Sequence, residues 1–264
     1  METSNLELSL SPRGVLRVLL NRPARFNAFD EALIAALTAA FERAAADPAV
    51  RVLVLAGAGR HFCAGADIAW MQRAATLAAA ANEADAARFA AMLAALADCP
   101  KPTLARVQGL ALAGGVGLVC ACDIALAESG AQFGVSEALL GLLPAVIAPY
   151  LINAVGLRAA RMLGLSAQRL DAAAALRCGL VHEVGDDLDA AESRWVDALL
   201  SCAPGAQAEL KHLFASWGPG PVTPERRALG AQTLARVRRG AEAGEGLDAF
   251  VARRRPNWRE DNKE

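Results

Sequence analysis

His61-Phe62-Cys63-Ala64-Gly65-Ala66-Asp67 and Gly109-Leu110-Ala111-Leu112-Ala113-Gly114-Gly115-Val116-Gly117 are two loops of small residues, and one carboxylate, Glu137, follows them. Loops without bulky side chains let backbone N–H groups face a ligand. Each loop also runs into a segment of helical character, whose N-terminal end carries positive partial charge. Two such donors can hold one developing oxyanion in a dry pocket, which is what a thioester enolate needs.

The surrounding pattern alternates strand and helix. Residues 15–20 read as a strand and 30–46 as an amphipathic helix, with Asp30 as N-cap and Leu33, Ile34, Leu37 and Phe41 on one face. A short apolar strand follows at 50–55. A helix leaves the first loop at Asp67, and 84–96 places Phe89, Met92, Leu93 and Leu96 on one helical face. Pro100 and Pro102 close that helix, and 103–107 is a buried strand feeding the second loop. Residues 114–122 suit a tightly packed helix and 123–127 another strand. This rhythm predicts an α/β fold. Beyond Leu151 strand signals thin out, the last at 181–184, after a composition shift near 144–149. Ser166 is expected to cap a helix reaching Leu180, and Asp187 or Asp189 one reaching Leu200.

Composition narrows the function classes. The chain has 264 residues, 55% of them hydrophobic but only 5% aromatic, so its core must join small aliphatic side chains closely. A formal net charge of −1 gives no electrostatic case for nucleic-acid or membrane-surface partners, and the basic stretch at 236–239 is local. No apolar run is long enough to span a membrane and no secretory leader is read, so a soluble, cytoplasmic protein is expected. Six cysteines in mostly apolar surroundings read as free thiols, and Cys120 and Cys122 lack the second ligand pair of a metal site.

At the two loops the chain resembles the crotonase, or enoyl-CoA hydratase/isomerase, superfamily. The resemblance extends from Asn21-Arg22-Pro23 and Asn27-Ala28-Phe29 through the segment Ala131 to Glu137 and on to Gly246 and Trp258. It implies a crotonase spiral of β-β-α turns over residues 1–195 and a helical C-terminal trimerisation region over 196–264, with two trimers stacked as a hexamer. It implies that the N–H groups of Ala66 and Gly114 hold the thioester carbonyl of an acyl-CoA. Losing one such donor typically costs about 2.7–4 kcal/mol of transition-state stabilisation. Glu137 matches the residue that exchanges a proton with the α-carbon, and apolar neighbours Phe133, Leu139 and Leu140 are expected to desolvate it. Ala64, Ala66, Asp67 and Ile68 would meet the pantetheine and adenine ends of CoA, Gly114 its acyl thioester and Arg25 a phosphate, with 253–255 a further basic candidate from a neighbouring subunit. CoA enters as part of the substrate, and no metal or separate cofactor is implied.

Gly117 departs from the two-glutamate hydratases, which carry a second carboxylate there. One carboxylate is left, compatible with a one-base hydratase, an isomerase that shifts a double bond, or another enolate reaction. The stretches 62–71, 114–119 and 137–150 are similar to the methylglutaconyl-CoA and isohexenylglutaconyl-CoA hydratase branch of leucine, isoprenoid and acyclic terpene breakdown, where Gly also stands at this position. Such a substrate carries a distal carboxylate, for which Arg73 is a candidate by position only. His61 is given no catalytic role. A non-catalytic acyl-CoA-binding or RNA-associated scaffold is the alternative of another class.

Overall fold

The computed structural model describes residues 5–218 and 220–259. Its first elements are β1 (Leu6–Leu10), β2 (Val15–Leu20), α1 (Glu31–Ala46) and β3 (Val52–Gly57). Asp30 caps α1 by accepting the Leu33 N–H at 3.0 Å, and Leu33, Ile34, Leu37 and Phe41 are buried as the spacing predicts. Then come α2 (Ile68–Ala75), α3 (Ala79–Ala97), β4 (Thr103–Val107), β5 (Leu110–Leu112), α4 (Gly114–Ala121), β6 (Ile124–Glu128) and β7 (Gln132–Gly134). The remainder is α5 (Ala148–Ser166), β8 (Leu170–Asp171), α6 (Ala172–Arg177), β9 (Glu183–Gly185), α7 (Leu188–Leu200), α8 (Pro204–Trp217), α9 (Pro224–Arg238) and α10 (Ala241–Val251).

The main sheet has the order β1-β2-β3-β4-β6-β9, antiparallel only at the β1–β2 hairpin. Every residue of β3 is buried, because both faces of the sheet are covered. Leu53 and Leu55 point into the core shared with α1, α3 and α4, while Val52 and Val54 join Leu188, Ala191, Val196 and Leu200 of α7 on the other face. The division expected between 195 and 196 thus falls inside α7, whose last turn still packs against the sheet. A second, three-stranded sheet, β5-β7-β8, carries the candidate site.

The helix read from Ser166 to Leu180 differs at both ends, since α6 runs Ala172–Arg177. Ser166 ends α5 instead of capping the next helix, its hydroxyl donating back to the Met162 carbonyl at 2.6 Å. Asp171 is the cap of α6, accepting the Ala174 N–H at 2.7 Å. Both residues are good caps, and Ala167, at φ +51, breaks the chain after Ser166. On the outer helices apolar side chains stay uncovered, among them Phe214, Leu234, Phe250 and Val251.

Candidate active site

Three short parallel segments set the site. Cys63 of the first loop bridges Ala111 of β5, its N–H donating to the Leu110 carbonyl at 3.0 Å and its carbonyl accepting the Leu112 N–H at 2.9 Å. On its other edge β5 pairs with β7, Ala111 opposite Phe133 and Leu112 opposite Gly134. Residues just beyond these pairs emerge from one edge, with neighbouring strands about 4.8 Å apart. Ala66 follows Cys63, Gly114 follows Ala111 and Glu137 follows Phe133, so the topology gathers the three residues singled out from the sequence.

The loops touch at Gly65. Its backbone is left-handed at φ +89°, and a Cβ there would lie 2.8 Å from the Leu112 carbonyl oxygen and 3.3 Å from the Gly114 nitrogen. Only glycine fits both demands. Ala66 sits in a parallel bridge to Phe29, made by Phe29 N–H to the Gly65 carbonyl and Asp67 N–H to the Phe29 carbonyl, each at 2.9 Å. That ladder leaves the N–H of Ala66 itself unused. Gly114 is the first residue of α4, where an N–H has no acceptor one turn back. Among the described residues, neither N–H has a hydrogen-bond acceptor. Ala113, between the loops, holds φ +48° and ψ −120°, a conformation costly for an L-residue, while its N–H donates to the Gly134 carbonyl at 2.7 Å.

Apolar groups wall this region. A Cβ on Gly114 would overlap Phe29 Cζ and lie 3.1 Å from Phe89 Cζ, and those two rings sit 5.1 Å apart. Glu137 opens a one-turn 3-10 helix, Glu137–Leu140. Its Oε2 is buried, with no hydrogen-bond partner among the described residues. Burial raises its pKa above the usual carboxylate range, opposed in part by the Glu137 and Ser136 backbone N–H groups. The desolvation does not come from Leu139 and Leu140, as the sequence reading expects. Those side chains are 74% and 60% exposed, because the tight turn directs them outward, while Phe133 is buried.

Asn27, quoted in the sequence only as part of a motif, has a structural role. Fully buried and left-handed at φ +56°, it donates from Nδ2 to the carbonyls of Ala58 (2.9 Å) and His61 (2.7 Å) and accepts the Arg22 N–H at 2.9 Å. It therefore ties the entry of the first loop to the turn before α1. His61 completes the brace, its Nδ1 accepting the Leu110 N–H at 3.2 Å.

The other expected binding residues divide by what already occupies them. Ala64 gives its N–H to the Phe26 carbonyl at 2.9 Å. The Asp67 carboxylate caps α2 through the Ala69 N–H at 2.9 Å and lies 3.4 Å from Arg22, while its N–H and carbonyl are taken by Phe29 and Met71, so Asp67 holds the loop in place. The Ile68 side chain is 56% exposed beside the loop. Arg25 stands exposed at the end of the 3-10 turn Pro23–Arg25. Arg73 is held by Glu31 at 2.9 and 3.1 Å on the surface, the ordinary role of a helix arginine. At Gly117 a Cβ would overlap Ile147 Cγ2 and lie 3.0 Å from Ile147 Cβ and 3.5 Å from Leu93 Cδ1. The buried Ile147 thus fills the volume next to that position.

All six cysteines are free, with burial pushing the Cys120 thiol up to about 12, and among the described residues no group of His, Cys, Asp and Glu is placed to hold a metal. Among the described residues no helix is long and apolar enough to cross a membrane.

Comparison with known proteins agrees with this architecture. Residues 11–262 match the family model described as enoyl-CoA hydratase/isomerase. The crystal structure of an enoyl-CoA hydratase from Shewanella pealeana is 40% identical, with a TM-score of 0.94 and 97% of each chain covered. Pseudomonas aeruginosa AtuE is 41% identical with a TM-score of 0.91, covering 97% of this chain and 99% of its own. A mevalonyl-coenzyme A hydratase of Beauveria bassiana is 31% identical over 96% of this chain and 94% of its own length. The chain belongs to the enoyl-CoA hydratase/isomerase family.

Proposed function

We propose that the protein adds water reversibly across the 2,3 double bond of an enoyl-CoA. The thioester oxygen receives the N–H groups of Ala66 and Gly114, which draws electron density from the β-carbon. Glu137, as carboxylate, takes one proton from a water whose hydroxyl bonds to the β-carbon. The enolate formed is held by the two N–H groups and then takes that proton at its α-carbon. The reverse sequence expels water. One observation carries this reading: a buried carboxylate oxygen and two N–H groups, without hydrogen-bond partners among the described residues, come from the same sheet edge. Ala64, Asp67 and Ile68 are proposed to line the CoA arm and Arg25 to meet its phosphate.

For the acyl group we favour a branched methylglutaconyl type. Its support is the resemblance of residues 62–71, 114–119 and 137–150 to that branch, together with a relative named mevalonyl-coenzyme A hydratase. With Arg73 already paired to Glu31, this reading leaves the distal carboxylate to another donor. Self-association as a trimer or a dimer of trimers belongs to the same proposal, supported by the uncovered apolar side chains of the outer helices. Ile147 beside Gly117 favours one rival, a one-carboxylate isomerase. Enoyl-CoAs with and without a distal carboxylate, assayed for loss of the conjugated thioester absorbance, separate these readings. Hydration adds the mass of water to the product and isomerisation does not. Preference for crotonyl-CoA over methylglutaconyl-CoA would overturn the branched assignment.

A further inference from the structure

Far from the oxyanion loops, a 710 Å³ cavity opens at the other end of the main sheet. Arg13 and Arg51, which line it, precede the first residues of β2 and β3, whereas the first loop follows the last residue of β3 and the second that of β4. A strand of this length separates the two places by roughly 20 Å. Arg255 and Arg259 from the C-terminal segment and Asp197 from α7 complete the charged lining, and Trp258 adds an aromatic wall. Arg13 already pairs with Asp197 at 2.6 Å, so the one carboxylate on the wall among the described residues is engaged.

Arg51 is the informative member. Among the described residues its guanidinium meets only neutral carbonyls, those of Trp258 (3.3 Å), Cys202 (3.2 Å) and Leu200 (3.5 Å). Its Nε is buried with no partner among the described residues. Desolvation lowers its pKa, opposed through space by Glu242, whose carboxylate is spent on the N–H groups of Gly205 (2.9 Å) and Ala206 (3.1 Å). A partly buried guanidinium with no anion bonded to it among the described residues, in a cavity that Arg259 also lines, is a site for an added negative charge. The volume lies within the range of small-molecule sites, and planar guanidinium forks match phosphate oxygens.

We infer that this cavity binds a phosphate-bearing anion, a pyrophosphate group free or carried by a nucleotide, on Arg51 and Arg259. The test is calorimetric titration of the full chain with inorganic phosphate, pyrophosphate and ADP, each with the acyl site saturated by a CoA thioester. Saturation removes competition from the adenine-nucleotide half of CoA. Pyrophosphate is expected to bind with one-to-one stoichiometry, about tenfold or more weakly after Arg51→Gln. Arg259→Gln, on an exposed side chain, is expected to weaken it as well and decides the matter if Arg51→Gln does not fold. Tighter binding of ADP than of pyrophosphate assigns the site to a nucleotide, and equal binding assigns it to the free anion. No heat with any of the three, or affinities unchanged in the folded variants, overturns the inference.

Discussion

Gly117→Glu restores the carboxylate that two-glutamate members of the family carry, and the structure says why it fails alone. A Cβ at 117 overlaps Ile147 Cγ2 and reaches within 3.0 Å of Ile147 Cβ, so the branched carbon itself, not a flexible tip, must retreat. Ile147 is 1% exposed and Leu93 is fully buried, leaving no free volume to receive it. Overpacking of this kind costs about 1–3 kcal/mol. At roughly 2–4 °C per kcal/mol for a chain of this size, the variant should melt about 2–12 °C lower, with the buried carboxylate adding to the loss. Ile147→Ala alone opens a cavity and costs about 2–5 kcal/mol. Combined, the two changes relieve each other, because the cavity of one receives the Cβ of the other. Denaturant melts of wild type, both single variants and the double variant close a thermodynamic cycle. The account predicts that the double variant loses at least 0.5 kcal/mol less than the sum of the singles, the lower end of couplings between touching residues (about 0.5–3 kcal/mol). Additivity within about 0.3 kcal/mol would refute Ile147 as the group that closes this position.

Ala113→Gly removes the penalty of a positive φ at a residue with a Cβ, offset by glycine's added freedom in the unfolded chain; a net gain of about 0.5–1 kcal/mol in chemical denaturation is expected. Asn27→Ala strips hydrogen bonds from the carbonyls of Ala58 and His61 and from the Arg22 N–H in a fully buried place, and should cost about 3 kcal/mol or more on the same assay. Glu137 has a raised pKa in the folded state, so its ionisation opposes folding at high pH, and the opposition fades as pH falls through the folded pKa towards the unfolded value near 4.3. Glu137→Gln should therefore melt higher than wild type at pH 8, with the difference vanishing near pH 4; a variant melting lower at pH 8 would contradict the desolvation.

Periodicity made β2, α1, β4 and the buried α4 legible from the sequence, because each carries an apolar pattern matched to one or two covered faces. The strands β5, β7 and β8 are too short for periodicity to register; they exist through pairing with one another and with Cys63. That pairing is what carries Gly114 and Glu137 to one edge, so the chemistry was readable as motifs while its assembly was not. Leu139 and Leu140 show the limit of local reading, since neighbours in sequence turned outward and left the burial of Glu137 to the fold. Asn27 offered a single clue, an asparagine in a tight turn, a residue tolerant of left-handed backbone. Ile147 offered none, because its meeting with Gly117 depends on how α5 is set against α4.

The central claim is that Glu137 moves the proton in both directions of a hydration. Glu137→Gln keeps the shape of the side chain and removes its exchangeable acid, so turnover of the preferred enoyl-CoA should fall by at least 10²-fold while CoA-thioester affinity stays within twofold. Hydration measured at an unchanged rate in this folded variant would contradict the mechanism.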